Sequence, residues 1–104
     1  MEKEHREAVK AYRQKALGAK SVTVELSTPI KVNGLETRSI TLRRPTVGDL
    51  RRANAMPGTD NDKEVALTAA LAEMSPEDLD QIDVADFDCV EAVVLGFRRQ
   101  RVAR

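Results

Sequence analysis

Hydrophobic and polar residues alternate in two stretches of this chain, at 22–26 and 40–43. A period of two is typical of β-strands that have one buried and one exposed face. Asn33-Gly34 lies between the stretches, and both residues tolerate the positive φ that a two-residue hairpin turn requires. The pattern therefore predicts one β-hairpin over about 22–43.

The register of this hairpin requires an irregularity in its first strand. Counting outward from the turn without a break places apolar residues of one strand opposite polar residues of the other. One extra residue restores the phase and pairs Leu26 with Ile40 and Val24 with Leu42. Because proline has no N–H to donate to a ladder, we predict a β-bulge near Ser27–Pro29.

Elsewhere apolar residues recur every three or four positions, and capping residues punctuate the pattern, as expected for helices. The chain is predicted to be α+β, with an N-terminal helix, the hairpin, and then three or four helices packed on one face of the sheet. The predicted helices are 2–17, a short helix that opens at Thr46, 63–74, a short helix from Ser75 to near Ile82, and 84–99 capped by Asp83.

The length of 104 residues fits one compact domain. Within it, 1–20 has only a thin apolar stripe among many charges, and it is predicted to be a helical arm that packs lightly or becomes ordered against another chain. Residues 21–104 are predicted to form a single α+β domain. Leu, Ile, Val and Phe are frequent enough to exclude a disordered chain.

The final predicted helix is the most apolar element, with apolar residues on more than one side. We therefore expect it both to complete the core and to present apolar surface to a partner helix, with arginines after it that steer an acidic segment. The predicted partner-binding residues are Val90, Val93, Val94, Phe97, Arg98, Arg99 and Arg101.

The 17 basic and 17 acidic residues cancel, but they are unevenly distributed. Residues 1–59 carry 12 basic and 6 acidic residues, 60–91 carry 11 acidic residues and one lysine, and 92–104 carry four arginines and no acid. Such a dipolar chain can associate with itself or with a charged partner. The chain has neither an apolar run long enough for a membrane span nor a secretory signal, so a soluble, cytoplasmic protein is expected.

Candidate chemistry is sparse, and no enzymatic activity, cofactor or metal is predicted. His5 is far in sequence from Cys89, the single cysteine, and they form no catalytic constellation. The acidic residues lack the spacing of a calcium loop, and the glycines lack that of a phosphate loop.

The alternative function is a small nucleic-acid-binding module that uses the basic tail 98–104. Other arginines would extend this basic surface, and these are Arg43, Arg44, Arg51 and Arg52. Neutral overall charge and few aromatic residues argue against nucleic acid as a partner.

An ordered set of short segments resembles the tail assembly chaperones of long-tailed bacteriophages and their prophages, in the branch found in Mu-like contractile-tail phages. The resemblance covers roughly 22–97, and the segment from Leu42 to Leu50 is its most specific part. The matching segments are Val22-Thr23-Val24-Glu25-Leu26-Ser27-Thr28-Pro29-Ile30-Lys31-Val32-Asn33-Gly34, Ile40-Thr41-Leu42-Arg43-Arg44-Pro45-Thr46-Val47-Gly48-Asp49-Leu50, Ser75-Pro76-Glu77-Asp78-Leu79-Asp80, and Asp86-Phe87 through Gly96-Phe97.

The resemblance implies a non-enzymatic role. Such a protein binds the long, largely helical tape measure protein and keeps it soluble until tail tube subunits polymerise around it, which makes the tail tube protein a second candidate partner. It acts in the bacterial host cytoplasm and is absent from the mature virion. Self-association is also predicted, because a two-stranded hairpin would leave two open edges.

Overall fold

The computed structural model describes residues 2–99 and confirms the α+β class. An N-terminal helix precedes an antiparallel hairpin, and four helices follow. The elements are α1 (Glu2–Ala16), β1 (Ser21–Val32), β2 (Leu35–Arg43), α2 (Val47–Asn54), α3 (Asp60–Ala72), α4 (Pro76–Leu79) and α5 (Val84–Arg98).

The hairpin turn forms where the sequence predicts it. Asn33 and Gly34 have φ angles of 54° and 79°, as expected for a turn with two left-handed residues. The hairpin has one buried and one exposed face, as the alternation predicts. Val24 and Leu42 are buried, whereas Thr23 and its neighbours on the same face are exposed. The helices therefore cover one face of the sheet, with α5 against β1 and α3 against β2.

The bulge is at the predicted place, but the predicted register is wrong. Val24 pairs with Ile40 and Val22 with Leu42, a shift of two residues along β1. Four residues, 26–29, stand opposite Arg38 alone, so β1 has three extra residues rather than one. One extra residue and three extra residues are both odd numbers, so the same side chains of β1 face the core in either register. The alternation of apolar residues therefore could not distinguish between the two registers.

Asp86 in the first turn of α5 explains the larger bulge. Its carboxylate accepts hydrogen bonds from the backbone N–H of Ser27, at 3.0 and 3.1 Å, and of Thr28, at 3.1 Å. It also accepts one from the Ser27 hydroxyl at 2.9 Å. The bulge thus exchanges ladder hydrogen bonds for bonds to a charged acceptor, which are stronger than those between neutral groups.

Capping boxes begin three of the helices. The caps are Thr46 with Asp49, Thr59 with Asp62, and Ser75 with Asp78. The second box corrects one prediction: because Thr59 is the N-cap, α3 begins at Asp60, and the residues predicted as loop up to 62 belong to its first turn. The final helix is capped as predicted, with Asp83 accepting from Ala85 N–H at 3.0 Å. The fourth helix, α4, ends three residues before the predicted Ile82.

The N-terminal helix packs closely against α5, which corrects the expectation of a lightly packed arm. Ala16 is completely buried. A Cβ at Gly96 would lie 2.7 Å from the Ala16 Cβ and closer still to the Arg13 carbonyl oxygen. The two backbones therefore approach as closely as they do because Gly96 has no side chain. The division of the chain into an arm, 1–20, and a single domain, 21–104, stays a prediction.

Candidate partner-binding surface

The predicted apolar strip of α5 is not on the surface of the described chain. Val90, Val93, Val94 and Phe97 have exposed fractions of 0, 0, 3 and 5%. Their contact with a partner stays a prediction, and in the described chain these four side chains are buried in the core. The physical reason is that α5 lies at the centre of the fold, where α1, the hairpin and α3 all pack against it.

The polar end of the predicted site is accessible. Arg98 and Arg99 are exposed at the end of α5, whereas Arg101 lies outside the described residues 2–99. The accessible apolar residue of this part of the helix is Leu95, which is 50% exposed. The sequence pattern does not distinguish Leu95 from its buried neighbours, because apolar residues surround this helix on more than one side.

Leu95 lies in an open groove between α1 and α5. The groove has a volume of about 750 Å³ and a largely apolar floor formed by Val9, Ala92 and Leu95. Positively charged residues of α1 line one side, and acidic residues of α5 line the other. The charged lining residues are Lys3, Arg6, Glu7, Lys10, Arg13, Asp88 and Glu91, together with His5.

The basic residues of α1 that line the groove are spaced by three, four and three positions, which places them on one face of the helix. We call Lys3, Arg6, Lys10 and Arg13 the basic rim. In the sequence these four residues stand out only as charges of the predicted arm. Their spacing indicates a basic face of the helix, but only the packing of α1 against α5 makes this face one side of a groove.

Two side chains connect the helices at one end of the groove. His5 Nε2 lies 3.1 Å from Asp88 Oδ2, a hydrogen bond that becomes an ion pair when the imidazole is protonated. The sequence pattern did not indicate this contact. It could not be seen in the sequence because the two residues are 83 positions apart.

On the acidic side of the groove, negatively charged side chains lie close to one another. Burial raises the pKa of Glu91 above its usual value of 4.5, and the negative charges of Glu64 and Asp88 raise it further. Within residues 2–99 this side of the groove therefore favours the approach of positive charge, and the basic rim favours negative charge.

Arg43 and Asp49 form an ion pair around a buried carboxylate, within the segment that carries the resemblance. Both guanidinium nitrogens of Arg43 bind the Asp49 carboxylate, at 2.8 and 2.9 Å. The Thr46 backbone N–H donates to it at 2.8 Å and Arg52 at 3.0 Å. The Arg43 hydrogen bonds are the main cause that lowers the pKa of Asp49 far below its usual value, with the Thr46 N–H next.

These contacts also bear on the nucleic-acid alternative. Arg43 is paired with Asp49, and Arg44 donates to the carbonyl oxygens of Ala16 and Ala19 while lying over the Phe97 ring at 5.4 Å. With Arg52 also bound to Asp49, three of the four arginines expected to extend a basic patch make contacts within the fold.

The remaining candidates for chemistry are the single cysteine and possible metal ligands. Cys89 is buried, and burial raises the pKa of its thiol, with the charges of Asp86 and Asp88 adding to the effect, so the reactive thiolate is disfavoured. Among residues 2–99, no group of three or more His, Cys, Asp or Glu side chains is arranged to hold a metal ion. None of the described helices is both long and apolar enough to span a membrane.

The segment between residues 23 and 99 matches a family model described as phage tail assembly chaperone proteins, E, or 41 or 14. The chain belongs to this family. Family membership gives this tail assembly chaperone a role in phage tail assembly through protein partners and suggests that this role is non-enzymatic. The match begins after α1, and the Mu-like branch stays a prediction. Neither a curated protein nor a solved structure matches the chain.

Proposed function

We propose that this tail assembly chaperone binds the tape measure protein and keeps it soluble during tail assembly, in the bacterial host cytoplasm and not in the mature virion. An amphipathic helix of the tape measure protein docks in the groove between α1 and α5. The observation that carries this proposal is the open groove itself, in which an exposed Leu95 lies beside oppositely charged sides in a member of a chaperone family.

The shape of the groove suits a helix. Two packed helices leave a furrow in which a third helix can bury an apolar stripe. Val9, Ala92 and Leu95 offer the apolar contact along this furrow. A holdase needs such surface because it must cover the apolar stripe of a partner that has not yet assembled.

The charges specify the orientation of the partner helix. The basic rim attracts acidic residues along one edge of that helix, and Asp88 with Glu91 attracts basic residues along the other. Arg98 and Arg99 continue the positive charge beyond the groove, and Arg101 is predicted to do the same. Because these charges are exposed to solvent, binding should weaken as salt concentration rises.

In this proposal the buried strip has an indirect role. Val90, Val93, Val94 and Phe97 hold α5 in the core, and α5 in turn positions Leu95 and the acidic side of the groove. We also propose that the chain associates with itself, and that the tail tube protein is a second partner, as the family resemblance implies.

Co-expression with the tape measure protein tests the proposal. Leu95→Gln should lower the soluble fraction of the tape measure protein several-fold, because the groove loses its exposed apolar contact. Val84→Gln is the matched control, since Val84 is on the same helix and 76% exposed but does not line the groove. If both variants keep the partner as soluble as the wild type does, the groove is not the binding site.

A further inference from the structure

The hairpin has one edge that the rest of the chain closes. On the outer side of β1, Glu25 N–H donates to the Tyr12 hydroxyl at 3.2 Å. Farther along, Lys31 N–H donates to Gln81 Oε1 at 3.0 Å, and Gln81 Nε2 donates to the Lys31 carbonyl at 2.7 Å. The bulge between them is held by Asp86. The expectation of two open edges is therefore wrong for β1.

The opposite edge, on β2, is open. Arg44 N–H donates to the Lys20 carbonyl at 2.8 Å, so these two residues form a hydrogen-bonded pair. Alternation along an antiparallel ladder then directs the backbone groups of Arg43, Thr41 and Ser39 away from β1. Within residues 2–99, no hydrogen bond from another element reaches these outward groups.

A groove of about 370 Å³ runs beside this open edge. Its other side is the end of α3 and the two residues after it, where Ala72 and Met74 provide apolar surface above the buried Leu71 and Glu73 provides a charge. An incoming strand can therefore reach the edge and bury apolar side chains next to it, which are the two requirements for strand addition.

We propose that the occupant of this edge is the β2 edge of a second copy of the chain, which would make a four-stranded antiparallel sheet across a two-fold axis. An antiparallel β2 edge is complementary to itself, because each copy offers the same donors and acceptors in reverse order. With one open edge per chain, pairing ends at two copies, whereas two open edges would permit an open-ended array. This inference specifies the self-association included in the proposed function.

The register follows from the outward residues. If Thr41 lies opposite Thr41 of the second copy, Ser39 lies opposite Arg43, and all three outward residues are paired by about six hydrogen bonds. Ile40 then lies opposite Leu42, which keeps the buried faces of both sheets on one side. The Arg43 guanidinium is already paired with Asp49, which it shares with Arg52, so it does not come to the edge as an isolated charge.

A strand edge of this length buries little area, so the dimer should form in the micromolar range, about 10–100 µM. Sedimentation equilibrium of the purified chain should then show a concentration-dependent mass that approaches twice the 11.5 kDa of the chain. A monomer throughout this range would overturn the proposal.

Thr41→Pro should abolish the dimer, because it removes the outward N–H and places a ring at the centre of the pairing. Thr23→Pro is the matched control. Thr23 pairs with Thr41 across the hairpin, and the two hydroxyls are 2.8 Å apart, so both variants lose this hydrogen bond and an outward N–H, but on opposite edges. Thermal unfolding of both variants establishes that they fold.

Charge variants test the register without proline. Thr41→Lys and Thr41→Glu should each weaken the dimer by about tenfold or more, because like charges would face each other across the axis. An equimolar mixture of the two should dimerise again, whereas a mixture of Thr23→Lys and wild type should behave like the wild type. An absence of recovery in the Thr41 mixture contradicts this register.

The outcomes separate this inference from the proposed function. Loss of the dimer in Thr41→Pro with the tape measure protein still soluble supports the inference and leaves the groove proposal intact. If the wild-type chain is monomeric but Thr41→Pro no longer keeps the tape measure protein soluble, the edge binds an extended segment of that partner, and the second-copy proposal is wrong.

Discussion

At the scale of single residues, Asp49 and Asp86 have structural roles that their sequence neighbourhoods only partly indicate. Both stand in the first turn of a helix, where an acidic residue commonly interacts with free N–H groups. In the structure both are buried and bind groups beyond their own helices: Asp49 binds Arg43, and Asp86 binds Ser27. Each therefore connects a helix to the hairpin.

Asp49→Ala should lower the free energy of unfolding by about 2–4 kcal/mol, because it removes a helix cap and leaves Arg43 without its partner. Asp62→Ala is the matched control: it breaks the capping box of α3, but Asp62 is exposed, so a loss of about 1 kcal/mol is expected. Urea denaturation at neutral pH measures both. Equal losses would mean that the Arg43 contact adds nothing.

The stabilisation by Asp49 should also depend on pH. Its pKa is lowered in the folded state, so its contribution is complete above the usual value of 3.8 and is lost as the pH falls below that value. The stability difference between the wild type and Asp49→Asn should therefore be constant from about pH 5 upwards and shrink below pH 4. A difference that instead grows at low pH would contradict this assignment.

At the scale of elements, two close contacts determine how the helices meet the hairpin and each other. Asp86 fixes the first turn of α5 to the bulge of β1, and Gly96 near its other end permits the close approach of α1. The helix is thus fixed at both ends. Neither contact follows from the hydrophobic pattern that predicts the elements themselves.

Asp86→Ala should destabilise the chain by about 1–3 kcal/mol, because the N–H groups of Ser27 and Thr28 lose a charged acceptor. Hydrogen exchange of these two amides should accelerate. Ser27→Ala is the control: it removes only the hydroxyl bond and should cost about 1 kcal/mol or less, with slow exchange retained at Thr28. Unchanged exchange in Asp86→Ala would show that the bulge does not depend on this carboxylate.

Gly96→Ala should destabilise the chain by about 1–3 kcal/mol, since the added methyl group has to displace the backbone of α1 at Arg13. Faster amide exchange confined to α1 would locate the effect. The neighbouring exposed change Leu95→Ala should alter stability by only about 0.5 kcal/mol. A Gly96→Ala variant as stable as the wild type would mean that α1 is not held close to α5.

At the scale of the whole molecule, the most apolar helix occupies the centre, and in the proposed function only its exposed edge contacts the partner. The groove with α1 and the open β2 edge lie in different parts of the surface. One chain can therefore contact a helical partner and a second copy at the same time. A dimer would present two grooves to the tape measure protein, which raises the effective affinity for a long helical partner.

Phe97→Ala should destabilise the chain by about 3–5 kcal/mol, because the ring is buried beneath α1 and the Arg44 guanidinium. Loss of tape measure binding in this variant should follow from unfolding and be recovered at lower temperature. Chemical denaturation measures the stability. A variant with wild-type stability that fails to bind the partner would instead restore the original expectation that Phe97 itself faces the partner.

The helices, the strands and the turn of this chain could be predicted from its amino-acid sequence. Helix caps such as Thr46 and Ser75 and the Asn33-Gly34 turn act within a few residues, so their signals are local and readable. Apolar periodicity likewise determined the buried face of the hairpin. The family resemblance, which the family match confirms, rested on the same short segments.

Three features depend on contacts between residues far apart in the chain, and they become visible only in the folded molecule. The extra residues of the bulge depend on Asp86, the groove depends on the contact at Gly96, and the closed β1 edge depends on Tyr12 and Gln81. The exposure of Leu95 and the burial of its neighbours also depend on how many elements surround α5. An apolar pattern specifies that a side chain prefers an apolar environment, but the packing of the other elements determines whether the chain itself provides that environment or a partner must.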